Sequence, residues 1–199
     1  RQPPKNFVGD WTAACAEAEA FDGACLLRRT DRFLASLASS DPLGETLGTH
    51  GQRLLGIPTT IVSADSSAED LMAHLVATRT TVWLARVDQV EALGQTASQA
   101  SPLNAHLVAV VMPITRAADL PWARHASERF RDAHGVEPVV AYCPGEAGGC
   151  LIAMNTPPAR SAGDFEVTSK PETVGRVLNG SVVWPKASVR PPLGLPSLA

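Results

Sequence analysis

Four polar residues sit where a strand would deliver them to a rim. Ser63 and Asp65 fall at the end of a short β-branched run, Thr59–Ala64. Arg86 and Asp88 fall at the end of a second run, Thr80–Val87. In open α/β sheets ligands bind beyond the carboxyl ends of the strands, so these four residues are the candidate lining of a small-molecule pocket. The same rule selects Thr115 and Arg116 after a third run, and Cys143 after a fourth. Ser66 opens a helix whose backbone N–H groups could hold an anion. It is adequately explained as a helix cap, because Ser66-x-x-Glu69 matches a capping box.

The four cysteines form two local pairs, Cys15 with Cys25 and Cys143 with Cys150. The second pair brackets the turn-forming segment PGEAGG, and a disulfide closing that loop is geometrically easy. Buried free thiols, acting as small hydrophobes, are the alternative for both pairs. The spacings are not the short C-x₂₋₄-C of structural zinc sites. Cys143 as a nucleophile would need a helix start or a cation to lower its pKa. Pro144 and the glycines after it offer no such helix.

Known reaction motifs are missing. The sequence has no G-x-x-x-x-G-K-[ST], no G-x-G-x-x-G after a strand and no G-x-S-x-G elbow. His50, His74, His106, His125 and His134 are scattered, without H-E-x-x-H. A Ser63–His74–Asp triad could be drawn, as in almost any α/β sequence. No catalytic residue, metal ligand or cofactor is therefore assigned from the sequence.

The elements that must carry these residues alternate. Trp11, Cys15, Ala18 and Phe21 share one helical face, and Asp22-Gly23 predicts a break. Cys25–Leu37 predicts a second helix. Leu43–Leu55 has the leucines of a helix but three glycines against it. After Ile57-Pro58 the pattern becomes β, then a helix with Leu71, Met72, Leu75 and Val76 as its stripe, then β again. Asp88–Ala92 reads as a helical turn, and Gln95–Pro102 as loop with a short helix. Ala105–Ile114 is apolar on both faces, as a central parallel strand is. Thr115–His134 is helical, with Pro121 allowing a first turn that begins at Leu120 and Gly135 as C-cap. Val136–Cys143 and Cys150–Asn155 are strands that could pair as an antiparallel hairpin. Alternation of this kind predicts an α/β fold, a mixed and mostly parallel sheet flanked by helices. The expected division is a helical N-terminal subdomain over 1–56, an α/β core over 57–156 and an irregular Pro-rich segment over 157–199. In that last segment Asp164–Thr168 could be an edge strand and Pro171–Leu178 a short helix. Trp184 and the prolines after it favour polyproline II.

Composition bounds the function classes. The chain has 199 residues, 45% of them hydrophobic, and a net charge of −3. That is enough apolar material for a core and too little charge for disorder. The pI of about 5.9 lacks the basic stripe of a nucleic-acid module. Arg28, Arg29 and Arg32, with Asp31 among them, read as a solvated helix face. No apolar run approaches the ~18 residues of a membrane span, so no membrane insertion is expected. Only Lys5, Lys170 and Lys186 are lysines, an arginine bias typical of GC-rich actinobacterial coding. The opening at Arg1, without a charged-then-apolar leader, reads as a piece or processed form of a longer protein.

Three segments carry a resemblance: GDWTAACAEAEA, TTVWLARVDQVEALG and CPGEAGGC. Together they resemble the C-terminal region of mycobacterial proteins of unknown function associated with type VII (ESX) secretion loci. The resemblance implies a secretion-associated role, in the cytoplasm or cell envelope, with a protein partner such as a secreted substrate that the chain would bind or chaperone. It brings no catalytic residues with it.

Two readings follow. The first is a non-catalytic protein-binding module. The alternative is a small-molecule-binding α/β enzyme with its pocket at Ser63, Asp65, Arg86 and Asp88. A deep polar cleft at the strand ends favours the second, and a flat apolar patch the first.

Overall fold

A computed structural model describes residues 11–96, 102–145, 151–154 and 176–177. Helix α1 is Trp11–Cys25, followed by strand β1 at Phe33–Ala35, a π-helical turn at Gly44–Thr49 and the short helix α2 at Gly51–Leu55. Then come β2 (Thr59–Ile61), α3 (Ala68–Ala77), β3 (Val82–Leu84), α4 (Val87–Gln95) and β4 (Ala109–Ile114). Helix α5 (Leu120–His134), β5 (Val139–Tyr142), β6 (Ala153–Met154) and β7 (Arg176–Val177) complete the order.

The strands form one sheet in the order β2-β1-β3-β4-β5-β6-β7. The first five are parallel, and β6 and β7 are added antiparallel. The mixed, mostly parallel α/β architecture is thus as the sequence predicts, including the antiparallel turn-back from β5 to β6. Period-2 alternation divides the core between the two faces. Phe33, Ala35, Val82, Leu84 and Val111 face the layer of α1 and α2, where Phe21 meets Phe33 edge-on at 5.8 Å. Leu34, Trp83, Val110 and Met112 face α3, α4 and α5, where Trp83 packs on Phe130. Pro113 is tolerated in the inner strand β4 because β3 pairs only as far as Val111. The ladder to β3 stops there, before the missing N–H would be used.

Several local expectations are corrected. The predicted second helix, Cys25–Leu37, is a loop and then strand β1, so the first 56 residues are not a purely helical unit. Phe33, Leu34 and Ala35 are buried on both faces between β2 and β3, and a strand is the only element that fits there. Asp22-Gly23 does not break α1, which runs on to Cys25. It ends at Leu26, whose φ is +52°. The cap of α3 is Ser67, not Ser66. Its hydroxyl accepts from the Asp70 N–H at 3.1 Å, one residue later than the predicted box. The turn at Asp88–Ala92 is part of the full helix α4. Arg28, Arg29 and Arg32 are exposed but lie in the loop before β1. Arg176–Val177 is strand, not the short helix expected over Pro171–Leu178. The edge strand at Asp164–Thr168, Trp184 and the proline-dense tail lie outside the described residues.

Cys15 and Cys25 do not bridge, and helix geometry forbids it. Ten residues of one helix separate their Cα atoms by about 15 Å, more than twice what a disulfide spans. Cys143 is buried at the end of β5, and its possible partner Cys150 lies outside the described residues.

Candidate functional site

The order β2-β1-β3-β4-β5 is that of a doubly wound sheet, and its direction reverses between β1 and β3. The chain leaves β1 on the α2 face toward β2, and leaves β3 on the α4 face toward β4. Crevices at such a reversal are where open α/β sheets seat ligands.

Beside this point lies a cleft of about 260 Å³. One wall is the loop after β2 and the start of α3. Here Ser63 accepts from the Asp65 N–H at 3.2 Å, the chain turns through Ala64–Ser66, and Ser67 caps the helix. The other wall is the end of β3 and the start of α4. Ala85 N–H pairs with the Val111 carbonyl, and Arg86 is then the N-cap residue of α4. The polar rim is Asp65, Ser66, Arg86 and Asp88 over Gln89. Ala64, Ala68, Leu71 and Ala92 supply the apolar lining.

Three of the four residues selected from the sequence therefore meet in one cleft: Asp65, Arg86 and Asp88. Ser63 is not in the lining, because its hydroxyl is engaged in shaping the turn. Arg86 grips Asp88 in a fork, Nε to Oδ1 at 2.9 Å and Nη2 to Oδ2 at 2.5 Å. Its Nη1 reaches the Ala64 carbonyl at 3.5 Å and Asp65 at 3.9 Å. Both members of the fork are about half exposed, so the pair adds little stability and serves mainly to orient the guanidinium. One guanidinium against two carboxylates leaves the rim net negative.

Below the rim lies a buried polar network that the sequence did not reveal. Gln89 and Ser36 are 5% and 0% exposed. Ser36 Oγ donates to Gln89 Oε1 at 2.7 Å and accepts from Trp83 Nε1 at 3.0 Å. Gln89 Oε1 also accepts from the Arg86 N–H at 3.0 Å, while its Nε2 donates to the Ala64 carbonyl at 2.9 Å. The one local signal was Gln89 three residues after the N-cap, the spacing of half a capping box. The Ser36 contact spans 53 residues and has no local signature.

The remaining candidates are elsewhere. Thr115 is exposed, and Arg116 forks onto Asp119 at 3.0 and 2.8 Å; that hydrogen bond and charge raise the guanidinium's pKa. Among the described residues no group of three or more His, Cys, Asp or Glu side chains could hold a metal. No helix among them is long and apolar enough to cross a membrane.

No known protein family and no curated protein matches the chain. Solved structures do. A malonyl-CoA ligase in ternary product complex with methylmalonyl-CoA and AMP matches with a TM-score of 0.64 at 20% identity, over 83% of this chain and 33% of the ligase. ATP-bound MatB from Rhodopseudomonas palustris matches with a TM-score of 0.63 at 13% identity, over 83% and 29%. A long-chain-fatty-acid–CoA ligase from Archaeoglobus fulgidus matches with a TM-score of 0.59 at 14% identity, over 83% and 32%. The fold is shared with a segment of these ligases. The chain spans about a third of their length.

Proposed function

We propose that this chain is a small-molecule-binding α/β module whose ligand seats between the loop after β2 and the start of α4. The observation that carries this is the convergence of Asp65, Arg86 and Asp88 on one cleft beside the reversal of strand order. The ligases that share the fold are named with small acyl, CoA and nucleotide ligands, which supports a small-molecule role in general terms. The rim itself favours a different charge. Two carboxylates around an already forked guanidinium disfavour a phosphate, so the ligand is neutral or cationic. Its size is limited by a cleft just under the ~300–1,000 Å³ of drug-sized sites.

The test is a backbone amide NMR titration with neutral polyols, small amines and, as the anionic contrast, AMP. Shifts confined to residues 64–68 and 86–92, saturable with polyol or amine and weakened in the double variant Asp65→Ala, Asp88→Ala, are expected. Shifts with AMP alone, or none in those segments, defeat the reading.

A second reading is the secretion-associated protein binder of the type VII resemblance. The edge strand β2 supports it, since among the described residues its outer side has no neighbour in the sheet and Ile61 is 57% exposed. Capture of a secreted substrate from an actinobacterial lysate, lost in Ile61→Lys, tests it.

A further inference from the structure

We propose that Gln89 is the positioning residue of the cleft. It sets the separation of the two walls by tying the loop after β2 to the start of α4 across the intervening strand β1. This rests on reading the cleft as a binding site.

The walls are not neighbours in the sheet. β2 and β3 both pair with β1, so their ends stand roughly 10 Å apart, with no ladder hydrogen bonds between them. Gln89 spans that gap. Its Nε2 donates to the Ala64 carbonyl on one wall, at 2.9 Å. Its Oε1 accepts from the Arg86 N–H on the other wall, at 3.0 Å, and from Ser36 just past β1, at 2.7 Å. One side chain thus reaches the ends of all three strands.

Doing this takes a side chain that ends in both a donor and an acceptor. Arg86 N–H is a fixed donor and the Ala64 carbonyl a fixed acceptor, so the two ends of the Gln89 amide are assigned without ambiguity. Capping α4 requires only the Oε1 contact to Arg86. The Nε2 contact to Ala64 contributes nothing to the cap and acts only between the walls. It also holds the Ala64 carbonyl in the position that meets Arg86 Nη1.

Gln89→Glu separates the two roles. A carboxylate keeps both acceptor contacts, and so the cap, but sets an oxygen against the Ala64 carbonyl. Protonation restores a donor. The charged and titratable groups on the surrounding elements are Arg86, Asp65, Asp88, Glu69, Asp70, His74 and Glu91. A parallel pH series on the unsubstituted chain subtracts their contributions.

The readout is the methyl spectrum of Ala64, Ala68, Leu71 and Ala92 in the full chain, with ¹³C-labelled methyls. In Gln89→Glu these signals are expected to move as pH is raised from about 6 to about 10, when the new carboxyl ionises, and to return toward their original positions on acidification. The unsubstituted chain should not show that reversal. Coincident spectra throughout that pH range overturn the proposal. A second measurement decides if the variant does not fold. In the unsubstituted chain the Gln89 side-chain amide protons should exchange at least about tenfold more slowly than those of exposed Gln52. Equal rates overturn it. Unmoved walls with ligand still binding refute Gln89 alone. Held walls with no ligand bound refute the binding reading alone.

Discussion

The indole N–H of Trp83 donates to the hydroxyl of Ser36 at 3.0 Å, joining β3 to the chain just beyond β1 inside the core. Both residues are completely buried. Ser36→Ala leaves this N–H without its acceptor and removes a hydrogen bond from Gln89. The expected loss is about 1–3 kcal/mol of unfolding free energy, read from the urea midpoint at unchanged slope. A loss below a few tenths would show that the network is not coupled to folding.

Glu17 on α1 accepts from the Leu151 N–H at 2.7 Å and so ties the start of the β6 segment to the first helix. Burial is the main cause that raises its pKa, and Asp41 adds to it, against the hydrogen bonds from Leu151 and Thr46. A raised folded-state pKa means that the native state binds the proton more tightly than the unfolded chain. Stability from this group is therefore present below about 4.5 and is lost as pH rises through the folded value. Glu17→Gln keeps an acceptor for Leu151 without the buried charge. The variant should be the more stable one at pH 7, with the difference shrinking toward pH 4 in thermal melts at each pH.

His134 at the end of α5 shows the opposite sign. It is 1% exposed, its Nε2 lies 3.1 Å from the Leu93 carbonyl, and desolvation lowers its pKa against that hydrogen bond. Here the unfolded chain binds the proton more tightly. The contribution is complete above about 6.5 and declines as pH falls from there toward the folded value. Urea midpoints should drop between pH 7 and pH 5 in the natural chain, and less steeply in His134→Gln. Parallel slopes would exclude His134 as the source.

Gly44 opens the π-helical turn against β1. A Cβ built there runs into the Ala38 carbonyl oxygen and the Leu37 Cβ, and the oxygen belongs to backbone that cannot swing away. Gly44→Ala should cost about 1–3 kcal/mol through overpacking. Gly23→Ala, whose Cβ meets nothing within 4 Å, is the control and should be neutral or mildly stabilising. Equal midpoints for the two variants would count against the close approach.

What the linear chain determined was the alternation and, through it, the strand ends. Val110, Val111 and their neighbours are apolar on both faces, and Leu71 with Leu75 makes a helical stripe. Such periodicities are local, so they can be read without knowing what lies opposite. Because ligand sites follow strand ends, Asp65, Arg86 and Asp88 could be selected and did converge. Tertiary structure alone decided β1. Phe33–Ala35 lies in helix-favouring surroundings and becomes a strand because a slot between β2 and β3 gives its backbone two partners. It also decided the network beneath the cleft. Ser36 meets Trp83 and Gln89 across 47 and 53 residues. The worth of a buried hydroxyl or amide is set by the group that faces it, and chain folding brings that group from a distance no sequence window contains.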